Sequence, residues 1–342
     1  MKILIGLSGG LDSTYAAYLL KSQGHEVVGA SVLMHSYTDT SMARKSAEQV
    51  GIPYVEIDGR ELFKSKVINR FISDYIGGAT PNPCVECNPN VKFGALCDYA
   101  VENGFDKVAT GHYALIGFEN GRYFVKSDEH SGKDQSYVLW KLSQKQLSML
   151  YLPLDGMDKS EIRQYAAELG FSAAQSKDSQ DICFIPDGNY ADFLMSQTGK
   201  TFPEGDFLDD DGNVIGKHRG VIHYTVGQRK GLGAFGRPMF VKSIDTEKNT
   251  VTLVPAGNEY FTKMNIKELS FMKLPPMSEG EIHAAVRVRY SAKPMPCSVA
   301  FKGDEATVVF ESKVRAVTPG QSAVFYDGSD LLFGGIISFC ES

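Results

Sequence analysis

Two groups of residues in this chain are suited to chemistry. One is a glycine- and hydroxyl-rich turn near the start; the other is three cysteines in polar, irregular surroundings. The turn is Ser8-Gly9-Gly10-Leu11-Asp12-Ser13-Thr14. It follows the apolar run Lys2-Ile3-Leu4-Ile5-Gly6-Leu7 and precedes Tyr15-Ala16-Ala17-Tyr18-Leu19-Leu20, which reads as a helix closed by Gly24. A buried strand, a glycine turn and a helix N-terminus in that order make an anion site. Gly9 and Gly10 let backbone N–H groups curl round a phosphate with no Cβ in the way. Ser8, Ser13 and Thr14 add hydroxyl donors, and Asp12 can hold a Mg²⁺ that bridges phosphates. The Gly-x-x-x-x-Gly-Lys-Ser/Thr pattern is absent, and so is any lysine inside the turn. The plain alternative is an ordinary Gly-Ser turn in an α/β domain.

Cys84 and Cys87 lie in Gly77-Gly78-Ala79-Thr80-Pro81-Asn82-Pro83-Cys84-Val85-Glu86-Cys87-Asn88, which reads as a loop between two helices. Cys183 lies in Lys177-Asp178-Ser179-Gln180-Asp181-Ile182-Cys183-Phe184-Ile185-Pro186, again irregular. Thiolates and persulfides are strong nucleophiles near neutral pH when positive surroundings depress the pKa. Two distant cysteines would let one carry a persulfide while the other completes the exchange by forming a disulfide. A structural zinc pair at Cys84-x-x-Cys87 is the alternative, but no second Cys-x-x-Cys or close His pair completes four ligands. Cys97, Cys297 and Cys340 sit in apolar or strand-like settings and read as inert fillers.

Positioning such groups takes a scaffold, and 342 residues suggest two or three domains. Six cysteines are too few for a disulfide framework. No run of 18 apolar residues occurs, so no membrane span is expected; with a strand read at residues 2–7 no leader is expected either, and the expected location is cytoplasmic. The net charge of −6 argues weakly against nucleic acid. Residues 1–198 carry 18 basic and 24 acidic side chains, whereas residues 199–342 carry 17 of each, with basic clusters at Lys217-His218-Arg219 and Arg229-Lys230. A structured RNA gripped by shape therefore stays permitted.

Up to residue 198, strand-like runs at 27–33, 54–57 and 107–110 alternate with helical patterns at 41–50, 60–75 and 91–103. The alternation predicts an α/β fold, a doubly wound parallel sheet with ligands at the carboxyl ends of its strands. Asn120-Gly121 predicts a hairpin decorating that sheet, and Asp158 with Glu161 a capping box on a helix at 159–169. Beyond residue 199, short β-branched runs punctuated by Asp-Gly and Asn turns predict small β domains. The expected division is a catalytic domain at 1–198, a small central β module at 199–265 and a C-terminal β barrel at 266–342.

The turn at Ser8 resembles the SGGxDS signature of the PP-loop ATP pyrophosphatases, which cleave ATP between the α- and β-phosphates and join AMP to a substrate oxygen. The whole chain resembles the tRNA-specific 2-thiouridylase family. The matching stretches are Thr80-Pro81-Asn82-Pro83 with Cys87-Asn88, Ala109-Thr110-Gly111-His112-Tyr113, Lys133-Asp134-Gln135-Ser136-Tyr137, and Asp178-Ser179 with Ile182-Cys183-Phe184-Ile185. Gly227-Gln228-Arg229-Lys230-Gly231-Leu232-Gly233, residues 286–290 and residues 316–326 complete the series. The resemblance implies a PP-loop, Rossmann-like catalytic domain that converts the wobble uridine of tRNA to 2-thiouridine.

By that resemblance ATP would lie over Gly6, Leu7, Ser8, Gly9, Gly10, Leu11, Asp12 and Ser13, with its adenine near Val32 (or Met34) and against Gly111. Cys183 would carry the persulfide and Cys87 would resolve it. Asn82, Pro83 and Cys84 would face the target base, flipped from its stack. His112, Lys133, Asp134, Gln135, Arg289, Tyr290 and Gln321 would contact tRNA. A persulfide or sulfide donor protein is the implied partner, and no membrane is involved. Cys84 stands where the family usually has aspartate. With Cys87 and Cys183 it makes three thiols, a set that could hold a [4Fe–4S] cluster with one open iron. Two other functions compete: a PP-loop synthetase or amidotransferase adenylating a small molecule, and a non-catalytic RNA-binding protein.

Overall fold

The computed structural model describes residues 1–128, 133–175 and 182–341. In chain order its first strands are β1 (Lys2–Gly6), β2 (Glu26–Leu33), β3 (Tyr54–Asp58) and β4 (Lys107–Ala109). A hairpin of β5 (Leu115–Glu119) and β6 (Arg122–Lys126) follows, then the two-residue β7 (Leu150–Tyr151). One sheet runs β3-β2-β1-β4-β7 with every pairing parallel. Both of its faces are covered, which is why β1 is apolar from Ile3 onward. Ile3 and Ile5 pack under α1 (Leu11–Ser22) and α2 (Ser41–Val50), while Leu4 enters the cluster on the opposite face. The order turns back between β1 and β4, so the crevice for a ligand opens beyond Gly6 and Ala109.

One expectation holds with an irregularity and one is corrected. The helix predicted at 60–75 is helical throughout Arg60–Ile76, with a π turn at Lys64–Ile68 inside it. The stretch holding Cys84 and Cys87, read as loop, is helical over Pro83–Cys87 and runs through a π turn at Asn88–Lys92 into Phe93–Glu102. The Asn82 Oδ1 accepts the Cys84 N–H at 3.1 Å, and Pro83 stands at the first helical position, where its missing N–H costs nothing. Pro89 then removes a donor, and the wider turn absorbs the loss.

The hairpin forms as its Asn120-Gly121 turn predicts, with φ of 50° and 76°, but it does not decorate the parallel sheet. It extends the C-terminal one, pairing Lys126 with Asp330. The Arg122 guanidinium donates to the carbonyls of Met272 and Phe271 at 2.7 and 2.8 Å. Lys273 joins Glu119 and Asp330 at 2.9 and 2.6 Å. Asp158 caps Lys159–Glu168 as expected, accepting the Ser160 N–H at 2.7 Å.

The middle of the chain forms β8 (Gly205–Leu208), β9 (Val214–His218), β10 (Met239–Asp245) and β11 (Thr250–Pro255), ordered β10-β11-β8-β9. The last strands are β12 (Tyr260–Phe271), β13 (Glu279–Arg287), β14 (Met295–Lys302), β15 (Glu305–Arg315), β16 (Ser322–Asp327) and β17 (Asp330–Glu341). They run β12-β15-β14-β13-β16-β17, and pairing of β12 with β17 closes a six-stranded barrel. Residue 265, where sequence texture set a division, lies inside β12.

The barrel is fused to the first domain through Trp140. Its indole lies so close over Gly334 that a Cβ there would sit 2.5 Å from the ring, and its Nε1 donates to the Ser322 Oγ at 2.9 Å. Tyr137, Trp140, Val324, Leu331 and Ile336 belong to one buried cluster. Among the described residues no helix is long and apolar enough to cross a membrane.

Candidate active site

The turn after β1 is preformed by its own hydroxyls. The Ser13 Oγ accepts the Ser8 N–H at 3.1 Å and lies 3.0 Å from the Ser8 Oγ. The Thr14 Oγ1 sits 2.8 Å from the Gly10 carbonyl, to which it donates. Gly9 has φ of 80°, and a Cβ there would lie 2.5 Å from the Met42 carbonyl carbon, so only glycine fits. Gly111, just past β4, is placed as tightly: a Cβ would meet the Asp12 carbonyl carbon and the Ser13 nitrogen, each at 2.7 Å. The first turn of α1 thus rests directly on the backbone that leaves β4. Leu7 and Leu11 are buried beneath the turn and serve as its apolar footing.

Asp12 projects into this crevice. Its Oδ1 accepts the Tyr113 hydroxyl at 2.8 Å, and its Oδ2 lies 3.1 Å from the Lys159 Nζ and 3.8 Å from the Lys133 Nζ. Two ammoniums around one carboxylate leave a net positive site, suited to polyphosphate. Lys159 was missed by sequence reasoning. A lysine at the first helical position opposes the helix dipole, and that local misfit was the available signal.

Val32 is buried, with its Cγ1 2.6 Å from where a Cβ on Gly59 would stand. Its side chain belongs to the core. Met34 stands one step further out and touches Cys87, sulfur to sulfur at 3.7 Å. Cys87 is therefore at the carboxyl edge of β2, on the same rim as the glycine turn. The Cys183 loop reaches this rim too, since the Tyr37 hydroxyl donates to the Phe184 carbonyl at 3.2 Å. Asp178 and Ser179 lie outside the described residues.

The three thiols differ. Cys84 and Cys183 are exposed, whereas Cys87 is 8% exposed. Burial pushes the Cys87 thiol up to about 12, against the opposing pull of Lys92. Burial and the neighbouring Cys84 also raise Cys183. Lys92, a second residue the sequence did not single out, is the cation that acts on both. Among the described residues no three His, Cys, Asp or Glu side chains stand together as a metal ligand set. Cys84 and Cys183 lie near enough to Cys87 for their charge to add to the rise of its thiol.

Of the residues expected to meet RNA, several are braces. Asp134 accepts from the Ser136 N–H at 3.0 Å, the Ser136 hydroxyl at 2.9 Å and the Arg287 guanidinium. Gln135 exchanges hydrogen bonds with the Tyr113 backbone at 3.0 and 2.8 Å. The Arg289 Nη2 donates to the Val226 carbonyl at 2.9 Å and to the Thr318 hydroxyl, joining the barrel to the central module. The Gln321 amide donates to the Thr80 carbonyl at 2.6 Å, so a barrel loop holds the segment that leads to Asn82. The His112 Nδ1 lies 2.8 Å from the Thr110 Oγ1, and burial drives the imidazole down to about 3, so it is neutral. Lys133 reaches Asp12, as above, and Tyr290 is the exposed member of the group, its ring edge-on to Tyr137.

Comparison with known proteins settles the kinship. The tRNA-specific 2-thiouridylase MnmA of Acetivibrio thermocellus is 41% identical over 355 residues, covering 98% of this chain and 99% of the relative. The chain belongs to the tRNA-specific 2-thiouridylase family. Clostridioides difficile strain 630 has another member, 40% identical and covering 98% of each chain. Family models agree on three parts: a tRNA methyl transferase HUP domain at 1–187, a tRNA methyl transferase PRC-barrel domain at 191–255, and an aminomethyltransferase beta-barrel domain at 261–337. A solved 4-thiouridine synthetase–RNA complex with bound ATP is 21% identical and covers 58% of this chain and 50% of the other, with a TM-score of 0.36. The family's Ser8–Thr14 and Cys87 stretches are the ones that meet at the crevice rim.

Proposed function

We propose that this chain thiolates the wobble uridine of tRNA at C2 at the expense of ATP, releasing AMP and pyrophosphate. The observation that carries the reading is convergence on one sheet edge. A glycine-hydroxyl turn, a carboxylate flanked by two lysines, and two cysteine-bearing segments distant in sequence all meet beyond β1, β2 and β4. A small-molecule synthetase needs no such cysteines, and a binding module needs no such turn.

The triphosphate lies along Ser8–Ser13, its charge met by N–H groups of the turn and by Lys159 and Lys133. A Mg²⁺ ion brought in with the nucleotide would be held by the Asp12 carboxylate, a sparse protein contribution of the kind usual for this ion. Bound there, it would neutralise charge developing on the phosphates. The uridine O2 attacks the α-phosphorus, a P–O bond forms, and pyrophosphate leaves. The terminal sulfur of a Cys183 persulfide, loaded by a persulfide-donor protein, then attacks C2, and AMP departs with the original oxygen. The Cys87 thiolate attacks the Cys183 Sγ, the S–S bond of the persulfide breaks, and a Cys87–Cys183 disulfide forms as the thiocarbonyl is released. A dithiol reductant resets the pair.

The exposed Cys84 and Tyr290 and the Asn82-Pro83 turn shape the entrance for the flipped base. His112, Asp134, Gln135, Arg289 and Gln321 hold the surface on which tRNA rests. The persulfide route is adopted because Cys183 lies near enough to Cys87 for its charge to act on that thiol, as a persulfide carrier and its resolving thiol require. The expected three-part division, with its second boundary moved from residue 265 to the start of β12 at Tyr260, serves this chemistry as catalyst, bridge and RNA platform.

Mass spectrometry of tRNA nucleosides after incubation with ATP, Mg²⁺ and a persulfide donor tests the reading, with iron measured in the same sample. 2-Thiouridine formed by iron-free protein supports it. No thiouridine under any condition overturns the function, and activity that tracks bound iron overturns the persulfide route.

A further inference from the structure

A chain of ion pairs links the barrel wall to the helix that carries the nucleophile. Glu268 on β12 meets the Arg70 guanidinium in two contacts, 2.5 and 3.1 Å. Its Oε2 also receives the Lys141 Nζ at 3.2 Å, and that same ammonium lies 2.5 Å from the Glu86 Oε1. Glu86 stands between Cys84 and Cys87 on the short helix Pro83–Cys87. Arg70 is anchored in turn by Asp74 at 3.1 Å. All these side chains are partly buried, with Glu86 13% and Lys141 20% exposed, so solvent screens them less than surface pairs.

The backbone at Glu268 is the second observation. It has φ of 54°, left-handed for a non-glycine residue, and it sits where the register between β12 and β17 slips, between Lys267 and Ser270. Such a conformation costs about 1–3 kcal/mol and persists where surroundings over-determine it. Bulges re-aim a side chain out of a sheet. Here the side chain is aimed at Arg70 and Lys141 of the first domain. Burial raises the Glu268 carboxyl, but Arg70 and Lys141 outweigh it and hold the group below the ordinary range, ionised.

We infer that Glu268 is a positioning residue: through Lys141 and Glu86 it sets the helix that presents Cys87, tying the resolving thiol to the barrel on which tRNA rests. The inference rests on the reading of Cys87 as that thiol. A barrel displaced by bound tRNA would pull on the Cys87 helix through two shared ammonium contacts. The nucleotide turn lies outside this chain of contacts and would not feel it.

The test compares the full-length parent with Glu268→Gln, Glu268→Gly, Lys141→Met and Lys141→Arg. Glycine suits the left-handed backbone, so Glu268→Gly removes the carboxylate while relieving strain in the barrel. Single-turnover sulfur transfer should fall about a hundredfold in Glu268→Gln, Glu268→Gly and Lys141→Met, the scale of an ångström-sized misplacement, while tRNA-dependent ATP–pyrophosphate exchange stays within about twofold. Lys141→Arg, which keeps a donor for both carboxylates, should restore transfer. Iodoacetamide labelling of Cys87, read by peptide mass on the protein alone, should quicken about tenfold in the three loss variants as the helix loosens. Equal losses in exchange and transfer would show a merely structural role and overturn the inference. So would unchanged transfer, or failure of Lys141→Arg to rescue. If even the parent makes no thiouridine, the functional reading fails; the labelling comparison then decides the linkage by itself, and unchanged labelling overturns it.

Discussion

Gly111→Ala tests whether the crevice is set by backbone-to-backbone contact. The added methyl would lie 2.7 Å from both the Asp12 carbonyl carbon and the Ser13 nitrogen, where ordinary contact begins at 3.4 Å. The first turn of α1 must retreat by about 0.7 Å, because both obstacles are main chain and cannot rotate away. Overpacking of this kind costs about 1–3 kcal/mol of stability. A displacement near 1 Å of groups that hold a reacting phosphate costs about a hundredfold in rate, or about 2.7 kcal/mol of transition-state stabilisation. The assay is tRNA-dependent exchange of labelled pyrophosphate into ATP, with Gly104→Ala as control. Gly104 has φ of 65° but nothing within 4 Å of its would-be Cβ, so that variant should lose stability and keep its exchange rate. Parental exchange by Gly111→Ala, or equal losses in both variants, would refute the reasoning.

Three further outcomes follow from the same geometry. Asp12→Asn removes the carboxylate that faces Lys159 at 3.1 Å; exchange should drop by about a hundredfold or more, and exchange at the parental rate would count against Asp12. Burial raises the Cys87 thiol to about 12, so below that pH the protonated form dominates and thiolate grows about tenfold per pH unit. Alkylation of Cys87 in the free protein should climb through pH 7–10 without a plateau, and levelling below pH 9 would contradict the burial. The His112 imidazole is depressed from 6.5 to about 3, so between those values the unfolded chain binds the extra proton. Stability should be lost as pH falls through that window. His112→Gln should flatten that limb in a denaturation series, and an unchanged slope would assign it elsewhere.

Much of the catalytic domain was legible because its signals are local. The apolar run of β1, the Ser8–Thr14 turn, the Asp158 cap and the Asn120-Gly121 turn each declare themselves within a few residues. What was missed depends on pairing at a distance. The hairpin β5–β6 shows its turn in sequence, but nothing there says that Arg122 will reach the carbonyls of Phe271 and Met272. The helix at Pro83–Cys87 was misread because two prolines outweighed the Asn82-Pro83 cap signature that precedes it. The π turns at Lys64–Ile68 and Asn88–Lys92 leave no periodicity of their own. No sequence signal singles out Glu268, whose left-handed backbone turns it toward Arg70 only in the folded barrel.

The central claim is that the uridine oxygen leaves on AMP. Transfer RNA carrying ¹⁸O at uridine C2 should, in a single turnover with ATP and a persulfide donor, yield AMP heavier by one ¹⁸O and tRNA that has lost it. Unlabelled AMP beside thiolated tRNA would mean that nucleotide cleavage and sulfur insertion are not joined at that oxygen.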